Sequence, residues 1–164
     1  MKEITIGQAA KLTSPHLFAA IVTKNSDGKV NIMGASWLSF VSFRNQKMLF
    51  CTSASGYTGG IVKETGKASL CFITQAAAEQ VFKCCKVSGH NTDKIKEFGI
   101  SLVQPEGFDV PVPEGSGVAF SLELDQAVLS GDHNIYICSI KKVVQLSDEP
   151  ILMAFDGYSR IGTI

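Results

Sequence analysis

The 164-residue sequence has no net charge, because fifteen basic and fifteen acidic side chains cancel and charged residues make up only 18% of the chain. Without an excess of Lys and Arg there is no broad electrostatic footprint for a polyanion, which argues against nucleic acid as a partner. No apolar run approaches the roughly 20 residues of a membrane-spanning helix. The opening stretch Met1–Gln8 is charged and lacks the apolar core of a signal peptide, so the expected compartment is the cytoplasm and no membrane partner is expected. The five cysteines (Cys51, Cys71, Cys84, Cys85 and Cys138) are odd in number and contain no Cys-x-x-Cys. Adjacent Cys84 and Cys85 are badly spaced for chelation or a disulfide, so reduced thiols and no structural zinc are expected. His16, His90 and His133 are scattered without the spacing of a metal triad. A dinucleotide-binding Gly-x-Gly-x-x-Gly, a Walker loop, a Gly-x-Ser-x-Gly elbow and His-Glu-x-x-His are all missing.

What is present is apolar and strand-like. Hydrophobic residues make up 45% of the chain and the mean hydropathy is +0.18, which suits one domain over residues 1–164 and argues against disorder. Low charge with an apolar bias also favours self-association, and a homodimer is expected. Leu17–Thr23 and Val30–Ala35 flank Asn25-Ser26-Asp27-Gly28 and predict a β-hairpin. Ser36–Ser42 mixes hydroxyls with large apolar groups, Lys47–Thr52 and Lys67–Thr74 read as further strands, and so do the alternating Val118–Leu124 and Ile135–Ile140. A short helix over Gly59–Thr65 is expected, with Thr58 as its N-cap and Gly66 as its left-handed stop. Gln75–Cys84 and Thr92–Phe98 also read as helices, and the Pro- and Gly-rich Gln104–Gly117 as a long excursion. The fold class is mainly β: a closed or nearly closed barrel with about three short helices.

Chemistry concentrates in two loops rich in hydroxyls, glycine and aromatics, Asn31–Ser42 and Thr52–Gly60. Ser53, Ser55 and Thr58 offer hydroxyls, while Gly59 and Gly60 open a helix whose free N–H groups suit a phosphate. Trp37 offers a plane for a flat ligand, and Lys94 a positive charge for a ring that gains electrons. A plainer reading stays open beside this one. Serine and threonine collect in loops, Trp37 serves equally as a core residue, and Thr58 as a simple cap.

The order of these segments resembles the flavin reductase-like domain family, the FMN-binding split barrels, and flavoredoxins above all. The resemblance runs from about Leu17 to Ile140. It is carried by Val22-Thr23, Asp27-Gly28-Lys29-Val30-Asn31, Ala35-Ser36-Trp37-Leu38-Ser39-Phe40-Val41-Ser42, Tyr57-Thr58-Gly59-Gly60-Ile61, Glu64-Thr65-Gly66, Ser88-Gly89, Asp93-Lys94, Phe98-Gly99 and Gly131-Asp132-His133. The family implies a homodimeric split barrel that binds FMN near the subunit interface. It implies that Asn31, Ala35, Ser36, Trp37, Leu38 and Ser39 run beside the ring. Ser53 and Ser55 fall at the phosphate, with Thr52, Tyr57 and Thr58 also cofactor-binding. Lys94 corresponds to a lysine at the pyrimidine edge and His133 to a histidine close to the flavin, also the candidate catalytic residue. Phe155 and Tyr158 of the tail lie over the site. Gly56 stands where relatives often carry Arg. The implied activity is a flavin or ferric reductase using NADH or NADPH, or a flavoredoxin-type electron carrier serving a redox protein partner. A non-catalytic module binding flavin or haem is the alternative.

Overall fold

The computed structural model describes residues 1–164. Twelve strands are present: β1 (His16–Leu17), β2 (Ala19–Lys24), β3 (Val30–Ala35), β4 (Leu38–Ser42), β5 (Lys47–Ser53), β6 (Lys67–Ile73), β7 (Leu102–Val103), β8 (Val112–Pro113), β9 (Ser116–Ser130), β10 (His133–Gln145), β11 (Met153–Phe155) and β12 (Arg160–Gly162). The helices are α1 (Ile6–Leu12), α2 (Tyr57–Thr65), α3 (Ala78–Cys84), which follows a 3₁₀ turn over Gln75–Ala77, and α4 (Lys94–Glu97). No helix is long and apolar enough to cross a membrane.

Seven strands form one antiparallel sheet in the order β3-β2-β6-β9-β10-β5-β4. Its outermost strands, β3 and β4, are joined in sequence by Ser36 and Trp37 alone. A flat seven-stranded sheet would hold its edges roughly 29 Å apart, whereas the step from Ala35 to Leu38 reaches at most about 10 Å. The sheet must therefore curl until its edges nearly meet. It does not close by β3–β4 pairing, so the barrel is split along a seam that Ser36-Trp37 crosses.

Side-chain period explains which strands the sequence reveals. β2 and β6 are buried on both faces and read as continuous apolar runs. Ala19 and Ile21 of β2 point into the barrel with Leu70, Phe50, Phe120 and Tyr136. Ala20 and Val22 point outward into a second core with Ile32, Cys71, Val81 of α3, Phe108 and Leu152. β5 and the first half of β10 bury one face only, and they alternate. The excursion Gln104–Gly117 contributes Phe108, Val110 and Val112 to the outer core.

Turn chemistry follows the expected residues. Gly28 takes φ +83°, and Asn25 Oδ1 accepts the Lys29 N–H at 2.8 Å. Gly66 closes α2 at φ +71°. Two expectations change. The first concerns the start of α2, which begins at Tyr57 with Gly56 at the N-cap, and Thr58 caps nothing. The Thr58 hydroxyl instead accepts Asn31 Nδ2 at 2.9 Å, because that amide is buried on β3 and needs a partner. The second is the unexpected α1, which buries no residue and so shows no apolar periodicity. Its signature is the capping box of Thr5 and Gln8.

Candidate functional site

A cleft of about 210 Å³ lies along the seam. One wall is the end of β3 with the crossing residues, from Met33 to Trp37. The opposite wall is the end of β5, Cys51 to Ser53, with His133 at the start of β10, and Tyr158 of the β11–β12 turn also lines it. The Cys51 N–H donates to Trp37 O at 2.8 Å and ties the two walls together. Trp37 is 54% exposed although it is the only tryptophan. Its ring lies 4.7 Å from that of His133, tilted by 46°. His133 Nδ1 contacts Asp132 Oδ1 at 2.8 Å, and this pairing holds the Asp132 carboxyl below its usual range.

The first turn of α2 adjoins the cleft. Gly60 is the first residue of α2 whose N–H is taken up within the turn, on Gly56 O at 3.1 Å, leaving the amides of Tyr57, Thr58 and Gly59 ahead of it. Gly59 lies against buried Tyr136 and Thr52, where a Cβ would come within 2.2 Å of the Tyr136 hydroxyl and 2.6 Å of Thr52 Oγ1. Only glycine fits there. At Gly34 a Cβ would fall 2.3 Å from Cys85 Sγ and 3.0 Å from the buried Phe18 ring.

Three buried polar side-chain atoms have no hydrogen-bond partner: Ser36 Oγ, Asn31 Oδ1 and Tyr136 Oη. One lies on the seam, and the other two face the first turn of α2 and its surroundings. Buried groups without partners are rare, and clustered ones suggest a site awaiting a ligand. Flat aromatic surface, orphaned hydroxyls and unbonded helix amides together suit a planar polar ring bearing an anionic tail.

The expected residues divide accordingly. Ala35, Ser36, Trp37, Thr52, Ser53 and His133 meet in the cleft. Asn31, Tyr57 and Thr58 surround the start of α2, with the Tyr57 ring edge-on to His90 at 5.8 Å, and Ser55 is exposed on the preceding turn. Leu38 packs toward the barrel core, and the Ser39 hydroxyl donates to Phe40 O. Lys94 is buried behind β3, where its Nζ donates to Ile32 O and Cys84 O, each at 2.8 Å. Desolvation lowers its pKa. Phe155 lies under the Arg160 guanidinium at 3.9 Å and does not line the cleft. Cys51 does line it, but burial pushes its thiol up and keeps it protonated. Met33, Gly34 and Tyr136 are site neighbours that residue type alone did not single out, although the alternation of β10 marks Tyr136 as buried.

A family model described as flavin reductase like domain matches residues 14–162. The chain belongs to the flavin reductase-like domain family. Among solved structures, this flavin reductase-like domain is similar to the FMN-binding protein from Thermus thermophilus, with TM-score 0.84 and 20% identity over 99% of this chain and 93% of that one. It is also similar to the flavoredoxin of Desulfovibrio vulgaris (Miyazaki F), with TM-score 0.83 and 20% identity over 100% and 93%. At these identities the likeness shows the shared split-barrel fold. An uncharacterized protein of Archaeoglobus fulgidus is 26% identical over 70% of this chain and 65% of its own. One from Aeropyrum pernix is 25% identical over 90% and 56%. The chain thus spans between half and two thirds of the length of these curated relatives.

Proposed function

We propose that the protein binds FMN in the seam cleft and passes electrons through it, as a flavin reductase or a flavoredoxin-type carrier. The observation that carries this reading is the convergence of the buried, unpartnered Ser36 hydroxyl, the exposed Trp37–His133 pair and the free amides of α2 along one seam. Family membership and the FMN-binding and flavoredoxin neighbours support it.

Bound FMN supplies reversible one- and two-electron chemistry at a flat ring. The chain's part is placement and charge. Ser36 and Ser53 offer donors along the seam, Thr52 lines it with its hydroxyl donating to Ser53 O, and Trp37 and His133 cover an aromatic face. The amides of Tyr57, Thr58 and Gly59, with the Ser53 and Ser55 hydroxyls, suit the phosphate. This matters because Gly56 brings no charge of its own. Lys94 has no carboxylate partner, so its ammonium places positive potential behind β3 that favours a negatively charged reduced ring. Asp132 holds the His133 imidazole in one orientation beside Trp37.

A homodimer belongs to the same reading. Phe43 is 84% exposed and stacks on Phe40 at 5.5 Å, beside a groove of about 390 Å³ lined by Phe120, Ile140 and Val143. An apolar face of this kind suits a second copy. Sedimentation tests it: Phe43→Lys is expected to shift a dimer toward monomer.

The decisive experiment is the visible spectrum of the purified protein, before and after FMN addition and desalting. Retained flavin absorbance is expected, and no uptake on titration would sink the reading. Bleaching by NADH or NADPH alone would mark a reductase. Bleaching only through a reduced protein partner would mark a carrier.

A further inference from the structure

The long hairpin of β9 and β10 outruns its neighbour β6. The β6–β9 ladder ends at Lys67 and Glu123, and just beyond it the Leu124 N–H donates to Gly66 O at 2.8 Å. Gln126–Ser130 continue as strand, paired one to one with His133–Ile137 of β10, but no strand lies on their other side. The backbone of these five residues bonds only to β10. Every second residue of a strand turns its N–H and C=O away from a given neighbour, so a row of unused donors and acceptors faces solvent here.

The other open edges of the main sheet are protected. β3 is backed by α3 and α4, and Lys94 Nζ takes its Ile32 carbonyl. β4 is five residues long, and its ladder slips between Phe40 and Ser42. The far end of β10, beyond its last pair with Lys47, carries Lys141 and Lys142. Charge, irregularity and covering helices are the devices that keep an edge from pairing with another chain. Gln126–Ser130 has none of them: it contains no charge and no proline, and all five residues are exposed, Leu129 by 66%.

An open edge is satisfied by extended backbone, and its side chains decide whose. A two-fold axis through Val128 sets the edge antiparallel to that of a second copy, with Gln126 opposite Ser130, Ala127 opposite Leu129 and Val128 opposite itself. Polar then meets polar, apolar meets apolar, and no like charges face each other. The same pairing continues a cross-strand row, Cys51–Ile135–Val128, whose members pack in neither core, into the matching row of the copy. We propose that Gln126–Ser130 is a self-pairing edge through which two copies of this chain join into one continuous sheet. It lies at the other end of the hairpin from the groove of Phe120, Ile140 and Val143, so one molecule has room for both contacts. Its five residues a side fall short of the roughly 20–30 of a standard interface, so the pairing forms on concentration and is lost at high dilution. It requires neither the groove contact nor FMN.

Sedimentation from micromolar to millimolar protein reads the edge in a Phe43→Lys background, where the groove contact is weakened. Monomers at high dilution are expected to become dimers on concentration. Adding Val128→Lys sets two ammonium groups against each other on the axis. It is expected to raise the dimer dissociation constant at least about fivefold with an unchanged Tm. In the otherwise wild-type chain, Val128→Cys places two thiols opposite each other, with Cβ atoms roughly 4.5–5.5 Å apart, and a disulfide-linked dimer is expected on mild oxidation. Leu12→Cys, exposed on α1, controls for chance collision and is expected to link no faster than wild type. Amide exchange at Gln126–Ser130 is expected to slow as the wild-type protein is concentrated. A Phe43→Lys dimer that persists at high dilution and yields only to Val128→Lys would keep this proposal and remove the groove contact instead. Association that Val128→Lys leaves intact, or unchanged exchange with no link through Val128→Cys, would overturn the self-pairing edge.

Discussion

The continuous wall of the barrel and its seam are built from the same strands, yet they treat polar groups in opposite ways. Along and beside β6 and β9, three buried hydroxyls away from the cleft are used. Ser69 donates to Val110 O at 2.7 Å, Ser116 to Pro113 O at 2.7 Å and Thr74 to Gly115 O at 2.8 Å. At the seam and the adjoining start of α2, Ser36, Asn31 and Tyr136 each leave a buried atom unpaired. β2 and β6 of the wall also bury their large apolar side chains, whereas the seam exposes the only tryptophan. An unpaired buried group costs roughly 1–3 kcal/mol, so the seam is the less stable region and the one with bonding capacity to offer. The wall holds the fold, and the seam is available for binding.

That division can be broken by mutation. In the wall, Leu70→Ala empties a fully buried position in β6 and is expected to cost about 2–5 kcal/mol in denaturant unfolding. FMN affinity, measured below the lowered Tm, should be untouched. Weakened binding in proportion to lost stability would show that wall and seam are not separate.

Gly59→Ala tests the border between them. Its Cβ would collide with the Tyr136 hydroxyl, and a loss of about 1–3 kcal/mol is expected together with FMN uptake. Tyr136→Phe removes an unpartnered hydroxyl, so alone it is expected to be neutral or stabilising by up to about 1 kcal/mol. Combined with Gly59→Ala it should recover part of the loss. A strictly additive double mutant would show that the clash lies elsewhere.

On the seam itself, Trp37→Ala removes a ring that is half in solvent. It is expected to leave stability within about 1 kcal/mol and to weaken FMN binding about tenfold, as titration would read.

The smallest expected effect is a slope. The Lys94 pKa is depressed below its ordinary 10.5 by burial, so the unfolded chain holds a proton that the folded one releases earlier. Stability must then rise with pH from the depressed value up to 10.5. Wild type should therefore gain on Lys94→Met through that window, and a flat difference would mean that the ammonium is not desolvated.

Much of the wall was legible in the sequence because burial leaves a pattern. Continuous runs marked β2 and β6, and alternation marked β5 and β10. Gly28 and Gly66 announced their turns through the φ values they must adopt. The seam was legible in part. Ser36 and Trp37 stand out as residues between two strands, but their importance follows from the sheet order, which pairs neither β3 nor β4 with the other. Thr58 looked like a cap because the sequence cannot show that a buried Asn31 lies opposite it. The direction of the Lys94 side chain depends on the carbonyls of two distant elements, β3 and α3. The left-handed backbone at Tyr158 gave no local signal, because no propensity rule expects it of a tyrosine.

The order of the strands also has a consequence in time. β2–β3, β4–β5 and β9–β10 are neighbours in sequence and can pair as hairpins within microseconds. β5 and β10 join residues as distant as Lys47 and Ser139, and such pairings must wait for loop closure. The seam faces form only when that last ladder brings β5 and β4 round toward β3. During refolding, flavin capture is therefore expected to trail the growth of β-sheet signal. The cofactor would meet a barrel that is already curled, and its uptake would report the final step of folding.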